Sequence, residues 1–548
     1  MVLAGLALAL LTTWPLASGI DSLGRMNSGD AQLSVWNVAW VARALSEEPD
    51  ALYDANIFHP HDNTLTFSEP NVGAGVLALP VWLATRDAVT AHNSVVLLSF
   101  VLSFAFMYAF VRHVTGSKPA AVFGALAFAC APFIFARFAH IQLLMTAGIP
   151  LAMLAWHRLV ERPGIDRGVA LGLVLFAQAM SCGYYGIFAG LMVGLGAVFY
   201  AVSRRLYASA AYWISIGIAA ATSIVLVAPF LIPYFALRET SGFARSLEDA
   251  AEYPANWQAY LASSAWAHEW MLPFVKGWSE VLFPGFLTIV LGVWGGIWVL
   301  RRQTLPASVV DDRATADRPR ETAGFYALVG VLAFWSSFGP AGGLYTLLYH
   351  LVPVFSFLRA PSRLGLLVTF SLVVCASLWV AGASRRYGAG RARLVAGGLT
   401  TALFLELLSI PLPFVPAPPI DRVYTRLAAL PPGTVAEFPF FWLRSDFPRH
   451  ALYMLNSTTH WRWLVNGYSD NIPEDFRASV VPLSSFPTRE SFAILKRHRT
   501  RHVLFHLRFY DTRSREKLKE RLGEFADYVR PIDREGDVWL YEIVKWPG

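Results

Sequence analysis

The stretch YASAAYWISIGIAAATSIVLVAPFLIPYFA, residues 207–236, contains no Asp, Glu, Lys or Arg. A helix needs about 20 predominantly apolar residues to cross the hydrocarbon core of a bilayer, so this stretch predicts a transmembrane helix. The whole chain agrees with that prediction, because 55% of its 548 residues are hydrophobic and 15% are charged. Soluble domains carry about 25% charged residues. The composition excludes a disordered chain and predicts a mainly α polytopic membrane protein.

Apolar runs of similar length recur through the first 414 residues and predict about eleven spans. They are residues 2–20, 93–113, 118–137, 141–160, 167–185, 186–203, 207–236, 281–300, 322–338, 361–383 and 393–414. A signal peptide is the competing interpretation of residues 1–20. The run from Val72 to Ala84 contains Pro80 and is too short to cross untilted, which favours an interfacial or re-entrant segment.

Basic residues concentrate in alternate connectors between these spans, which the positive-inside rule assigns to the cytoplasm. The connectors contain Arg112, His113 and Lys118; Arg158, Arg162 and Arg167; Arg204 and Arg205; Arg301, Arg302, Arg313, Arg318 and Arg320; Arg385, Arg386, Arg391 and Arg393. The other connectors, including the long loop 21–92, are then extracytoplasmic. We expect a cytoplasmic N-terminus and an extracytoplasmic C-terminus in a bacterial inner (plasma) membrane.

The composition changes after residue 414, where the Pro-rich stretch PLPFVPAPPI follows the last predicted span. GTVAEFPF, RHVLFHL, FADYVRPI and DVWLYEIV then predict short strands. PTRESFAILKRHR and TRSREKLKERL predict helices with charged faces. We therefore expect two domains: a transmembrane domain of residues 1–414, and an extracytoplasmic α/β domain of residues 415–548.

The first extracytoplasmic segment contains the strongest candidate for catalysis. Asp30 follows Gly29 at the start of an amphipathic pattern that is typical of a helix on a membrane surface. One interpretation makes Asp30 the N-cap of that helix. The other makes it a general base for a sugar hydroxyl, and the two roles are compatible.

Further polar side chains are grouped in the predicted extracytoplasmic connectors. His59, His61 and Glu69 lie in HPHDNTLTFSEP. This segment predicts a site for a sugar or a divalent cation. The alternative is a polar loop whose side chains form hydrogen bonds within its own turns. His140 and Gln142, in ARFAHIQLL, are candidates for substrate binding or simple helix-end residues. A divalent cation is therefore one candidate cofactor.

Arg359 and Arg363 flank Ala360-Pro361-Ser362 just before the tenth predicted span. Two guanidinium groups at a helix N-terminus form a suitable site for a phosphate. Anchoring at the membrane interface, with the long side chains reaching toward water, is the alternative.

The sequence contains no phosphate-cradling glycine loop, zinc-ligand spacing, nucleophile elbow or dinucleotide fingerprint. Nucleic-acid binding has no support either, because most basic residues of the first 414 positions lie in the connectors that orient the predicted spans. Polar clusters beside long apolar spans favour a substrate that is itself partly lipid.

The order of the predicted segments resembles that of the GT-C superfamily of integral membrane glycosyltransferases. It consists of a first span, an outer loop with Gly29-Asp30, a helical bundle and an outer C-terminal domain. The segments ANIFHPHDNTLTFSE, HIQLL, FLRAPSRLG and STTHWRWLVNGYS are similar to those of a group of bacterial polytopic membrane proteins. The resemblance implies a GT-C-like bundle, a polyprenyl-phosphate sugar donor and an acidic residue, Asp30, that activates the acceptor. The acidic pair that is common in the superfamily is absent, because Ala31 follows Asp30.

These observations predict a glycosyltransferase, with a hexose or a pentose as the sugar it transfers. It would move this sugar from a polyprenyl-phosphate donor to a glycan or lipid acceptor of the cell envelope, in contact with membrane lipid. Asp30 would be catalytic, and Arg359 and Arg363 would hold the lipid phosphate. The alternatives are a transporter or flippase of a lipid-linked saccharide, which would need ionisable residues within spans such as Glu406, and a non-catalytic glycan-assembly protein.

Overall fold

A computed structural model of the chain describes residues 1–241, 246–301, 319–386 and 389–548. Arg302, Arg313 and Arg318, which contribute to one of the basic connectors, lie outside these residues. The chain forms two compact units. The helical unit comprises Met1–Ser18 and Val96–Leu412, and the mixed unit comprises Gly19–Val95 and Pro413–Gly548.

The α-helices of the described residues are numbered in chain order. They are α1 Val2–Thr12, α2 Gly29–Glu47, α3 Val72–Thr85, α4 Ala88–Thr115, α5 Lys118–Ala129, α6 Pro132–Phe135, α7 Ile141–Leu144, α8 Gly148–Glu161, α9 Ile165–Ser181, α10 Gly183–Ser203, α11 Ala210–Ser241, α12 Leu247–Ala251, α13 Phe286–Arg301, α14 Pro319–Ser337, α15 Leu344–Leu351, α16 Gly365–Arg386, α17 Ala389–Glu406, α18 Arg422–Ala428, α19 His450–Ser457, α20 Glu474–Ser484, α21 Arg489–Arg497 and α22 Thr512–Glu524. The strands are β1 Leu23–Gly24, β2 Val415–Pro416, β3 Thr434–Phe438, β4 Thr500–His506, β5 Val529–Glu535 and β6 Val538–Ile543.

Each of the eleven predicted spans contains a helix in this structure. Among the described residues, five helical segments are long and apolar enough to cross a membrane: Ala88–Thr115, Lys118–Phe135, Gly183–Ser203, Ala210–Glu239 and Pro361–Ser384. The protein is therefore a multi-pass membrane protein, and the number eleven is not confirmed. Helix α1 has only 11 residues, fewer than the roughly 20 that an untilted span needs.

Helix α11 shows how the helical unit meets its surroundings. Only 11% of its most apolar window is buried, and Ile224 and Val225 are 66% and 68% exposed. Its packed side lies against α9, where Cβ atoms at Gly168 and Gly172 would lie 2.5 and 2.6 Å from carbonyl oxygens of α11. Small residues allow this close backbone approach, as is typical of helix pairs in membranes. The exposed apolar side is suited to contact with lipid.

The mixed unit contains a four-stranded sheet with the order β3-β4-β6-β5. Strand β3 pairs with β4 in parallel, and the other two pairings are antiparallel. The four strands and the helices α21 and α22 occupy the segments in which the sequence predicts them. The α/β character of the C-terminal region is thus confirmed, and the unit that contains it also includes Gly19–Val95.

Helix α2 packs against α3 and α19 within this unit. Its side chains from Ser34 to Ala42 are buried in an uninterrupted run. The expectation of an amphipathic helix lying on a membrane surface is therefore wrong for the middle of α2, because neighbouring helices cover its polar as well as its apolar positions. Asn37, for example, donates its Nδ2–H to the Glu69 carbonyl oxygen at 3.1 Å.

Candidate active site

Asp30 is the second residue of α2, and Ser28 is the N-cap. The Ser28 hydroxyl accepts the Ala31 N–H at 3.3 Å, which is the usual role of a capping serine. The interpretation of Asp30 as the N-cap is therefore wrong. Its carboxylate instead lies in the first turn, where the positive end of the helix dipole stabilises negative charge. The capping role thus belongs to Ser28 and not to Asp30.

Two contacts fix the surroundings of Asp30. The Tyr468 hydroxyl donates a hydrogen bond to Asp30 Oδ1 at 2.8 Å. A Cβ atom at Gly29 would lie 2.6 Å from the carbonyl oxygen of Pro448, so only glycine permits this approach at the start of the helix. The hydrogen bond restrains the carboxylate, and the close packing restrains the backbone at the start of the helix that carries it.

Tyr468 is the site residue that the sequence analysis did not select. It belongs to the segment STTHWRWLVNGYS, which carries the family resemblance, but it is 438 positions from Asp30. No spacing rule connects Tyr468 with the Gly29-Asp30 pair, so the sequence carries no signal for this contact.

His59 and His61 contact the C-terminal part of the mixed unit. The ring Nε2 of His61 lies 3.0 Å from Asp475 Oδ1. His498 Nδ1–H donates to the His59 carbonyl oxygen at 2.6 Å. Burial lowers the pKa of His59, and the nearby His498 and Arg499 lower it further, so that its imidazole is neutral at pH 7 and able to accept a hydrogen bond.

The described residues include no group of three or more His, Cys, Asp or Glu side chains arranged to hold a metal ion. The roles of His59, His61 and Glu69 stay predictions.

In the helical unit, Arg359 precedes the 3₁₀ turn Pro361–Leu364 and Arg363 lies within it, directly before α16. The Arg363 guanidinium lies 4.2 Å from the centre of the Tyr184 ring. The Arg359 guanidinium lies 5.2 Å from the Tyr253 ring, and its backbone N–H donates to the Tyr184 hydroxyl at 2.9 Å. Aromatic rings thus restrict both guanidinium groups at the beginning of a helix, where an anion is favoured.

A third arginine belongs to the same cluster. Arg137 forms an ion pair with Glu280, and both side chains are largely buried. Glu280 Oε1 also accepts the Ser362 hydroxyl at 3.4 Å. Ser362 is the neighbour of Arg363, so Arg137 and Glu280 belong to the same cluster as the other two guanidinium groups. Glu280 was not selected from the sequence because nothing near it in the chain marks it as a partner of Arg137.

His140 and Gln142 lie at the beginning of the short helix α7 in the helical unit. His140 is the residue before the helix, and its N–H donates to the Arg137 carbonyl oxygen at 2.9 Å. Gln142 is the second residue of α7 and is partly exposed. The backbone therefore links His140 to the residue that carries the third guanidinium group.

Glu406, the ionisable residue considered for transport, serves a structural purpose at the end of α17. Its carboxylate accepts the Phe286 N–H, and it accepts the Leu287 N–H at 3.1 Å. Its Oε1 lies 3.1 Å from His268 Nε2. Glu406 thus caps the N-terminus of α13, where the backbone N–H groups lack partners within the helix.

No protein-family model matches the sequence, and no curated protein is similar to it in sequence. Solved structures are similar in fold. The arabinofuranosyltransferase AftD from mycobacteria matches 99% of this chain at 13% identity, with a TM-score of 0.60, and a mutant form of AftD matches at 14% identity with a TM-score of 0.57. The chain spans about 40% of the length of AftD.

A crystal structure of ArnT from Cupriavidus metallidurans, bound to undecaprenyl phosphate, is also similar, with a TM-score of 0.49. The match covers 99% of this chain and 97% of the ArnT chain, at 13% sequence identity. The similarity to AftD establishes a GT-C-like fold, as the resemblance in sequence implied. At this level of identity it concerns the fold alone.

Proposed function

We propose that the protein is a glycosyltransferase that moves a sugar from a polyprenyl-phosphate donor to a hydroxyl group of a cell-envelope acceptor. The observation that carries the proposal is Asp30, which lies in the first turn of α2, receives a hydrogen bond from Tyr468 and belongs to a GT-C-like fold. The described membrane-spanning helices fit a donor with a long hydrocarbon chain. The reaction would take place at the outer face of a bacterial inner membrane.

In this reaction Asp30 would accept the proton of the acceptor hydroxyl as that oxygen attacks the anomeric carbon of the sugar. The bond between the anomeric carbon and the phosphate oxygen breaks, and its electron pair leaves with the polyprenyl phosphate. No oxidant or reductant is needed. Tyr468 would hold the carboxylate in the orientation that proton transfer requires.

Arg359 and Arg363 would bind the phosphate of the donor and stabilise the negative charge that develops on it as it leaves. The stacking of each guanidinium on a tyrosine ring supports this role, because a restricted planar group loses less conformational freedom on binding. His59, His61, Glu69, His140 and Gln142 are proposed to contact the sugar or the acceptor.

Exchange of either arginine for lysine tests the phosphate clamp. Lysine keeps the positive charge and the ability to reach toward water, but it lacks the planar fork that binds two phosphate oxygens. We expect Arg359→Lys and Arg363→Lys each to reduce kcat/KM for a polyprenyl-phosphate sugar by about tenfold or more, which corresponds to roughly 1.4 kcal/mol.

The matched control is Arg238→Lys, which makes the same change at an exposed arginine of α11. Purified proteins would be compared with titrated donor. Unchanged kinetics in both Arg359→Lys and Arg363→Lys would contradict the phosphate clamp and would favour a role of these arginines in membrane anchoring.

The proposed orientation makes a separate prediction. A reporter that is active only in the cytoplasm should be silent when it is fused after Gly548 and active when it is fused after Arg205, in a predicted cytoplasmic connector. A reporter that is active only outside the cytoplasm should give the reverse pattern. Cytoplasmic activity after Gly548 would overturn both the topology and the proposed location of the reaction.

A further inference from the structure

The mixed unit contains a cavity of about 480 Å³ that lies away from Asp30. Its volume falls within the range of roughly 300–1,000 Å³ that is usual for small-molecule sites. Glu47, the last residue of α2, lines the cavity, whereas Asp30 is the second residue of the same helix. At about 1.5 Å per residue, the two carboxylates are roughly 25 Å apart along α2. The cavity is therefore a separate site.

Two indole rings belong to the apolar part of the cavity wall, which also includes Val89, Ile420 and Leu455. Trp82 and Trp461 both line it, and their ring centres are 6.0 Å apart at an interplanar angle of 79°. The Arg43 guanidinium lies 5.4 Å from the Trp461 ring, and Trp40 packs on the same ring at 5.8 Å. These contacts hold Trp461 in place from behind, so the cavity presents a preformed aromatic surface.

Polar groups surround this aromatic surface. Glu47, Arg86, Asp87, Thr458 and Thr459 all line the cavity. Arg86 Nη1 contacts Glu47 Oε1 at 2.6 Å, which fixes the carboxylate at the edge of the cavity. The wall therefore offers hydrogen-bond acceptors, donors and hydroxyl groups in addition to two aromatic rings.

Two residues of this wall have left-handed backbone conformations, and one buried side-chain donor lacks an acceptor. Arg86 and Trp461 have φ values of 54° and 52°, in the left-handed region that bulky residues rarely adopt. The buried Trp82 Nε1–H has no hydrogen-bond acceptor among the described residues. Strained residues and unsatisfied polar groups collect at binding sites, where a ligand compensates for them.

We propose that this cavity is a saccharide-binding site for a neutral sugar. A pyranose ring has an apolar face of C–H groups, which suits Trp461 and Trp82, and a rim of hydroxyl groups, which suits Glu47, Asp87 and Thr459. The guanidinium groups of Arg86 and Arg43 both pair with Glu47, so together with Asp87 the charges around the cavity balance and leave no excess positive charge for an anionic sugar or a phosphate.

The consequence for the protein is a second contact with glycan. A site one helix length from Asp30 binds a part of the glycan that does not react. This part of the inference rests on the proposed transferase function, whereas saccharide binding itself does not.

Saturation-transfer difference NMR on the full-length protein in detergent tests the inference with methyl glycosides as probes. The probes are a neutral hexopyranoside, a neutral pentofuranoside, a 2-acetamido sugar and a uronate. We expect saturation of the ring C–H protons of a neutral glycoside and none of the uronate. Thr459→Phe, which fills the cavity, and Glu47→Gln, which removes a charged acceptor, should each weaken the apparent affinity at least tenfold.

Thr512→Phe is the matched control, because it makes the same change at an exposed position of α22 in the same unit. It should bind like the unaltered protein. Asp30→Asn should also bind normally, which separates this inference from the proposed reaction. Equal binding by Thr459→Phe, Glu47→Gln and the control, or no binding of any neutral glycoside by the unaltered protein, would overturn the inference. Preferential binding of the uronate would contradict the assignment to a neutral sugar.

Discussion

Asp30→Asn should lower the rate of sugar transfer by roughly 10²- to 10⁴-fold, the range that a positioned general base contributes. Asparagine has nearly the same size as aspartate and can still accept the hydrogen bond from Tyr468. The helix should also keep its start, because Ser28 and not Asp30 is the N-cap. The substitution therefore removes the base while the surrounding structure is preserved. Single-turnover transfer with a saturating polyprenyl-phosphate sugar is the measurement.

Tyr468→Phe provides a graded comparison at the same site. It removes the hydroxyl that orients Asp30 and leaves the carboxylate in place, so the loss of turnover should be smaller than that of Asp30→Asn. Equal melting temperatures would show that the fold is intact in both variants. Near-normal turnover of Asp30→Asn would end the catalytic assignment.

His506→Ala should destabilise the mixed unit by about 3–5 kcal/mol, because it removes one hydrogen-bond partner from the buried Glu437 carboxyl group and leaves a cavity where the imidazole packed. His506 Nε2 lies 2.7 Å from Glu437 Oε2, and both side chains are fully buried. The Tyr424 hydroxyl donates to the same carboxylate oxygen at 2.5 Å. Loss of the imidazole would leave Glu437 in an apolar interior with a single side-chain partner. At roughly 2–4 °C per kcal/mol for a unit of this size, the melting temperature should fall by about 10 °C.

His61→Ala is the matched control, because it removes an imidazole from a carboxylate at the protein surface. The His61 and Asp475 side chains are 34% and 58% exposed, and pairs of this kind contribute about 0–1 kcal/mol. Thermal unfolding of the detergent-solubilised proteins, followed by circular dichroism, would compare the two. Similar small shifts in both variants would mean that the buried pair does not support the unit.

The elements of the C-terminal region could be predicted because their signals are local. GTVAEFPF and DVWLYEIV are short runs rich in β-branched and aromatic residues with turn residues beside them, and both contain strands. The helices of the apolar runs follow from composition in the same way. The number of membrane crossings does not, because an apolar run predicts burial as well as it predicts contact with lipid. The window of Lys118–Phe135, for example, is 83% buried within the protein, whereas that of Ala210–Glu239 is 11% buried.

The candidate site could be predicted only in part. Asp30 and the two arginines stand out by residue type and position, but their partners come from distant segments. Tyr468 reaches Asp30 across 438 positions, and Tyr184 contacts Arg359 across 175. Such pairings depend on how helices and loops pack, which no local periodicity encodes. The role of Ser28 was not predicted for a different reason. Asp30, two residues after the cap, is also a residue type that often caps helices.

The most direct test of the proposed function is to follow the two parts of the donor separately. Purified protein would be reconstituted in liposomes with polyprenyl-phosphate sugars labelled with ³H in the sugar and ³²P in the phosphate, and bacterial membrane extract would supply the acceptors. A glycosyltransferase should separate the labels, so that ³H appears in the acceptor fraction and ³²P stays with free polyprenyl phosphate, and Asp30→Asn should abolish the separation. Labels that stay joined while the lipid-linked sugar moves across the bilayer would contradict the proposal and identify a flippase.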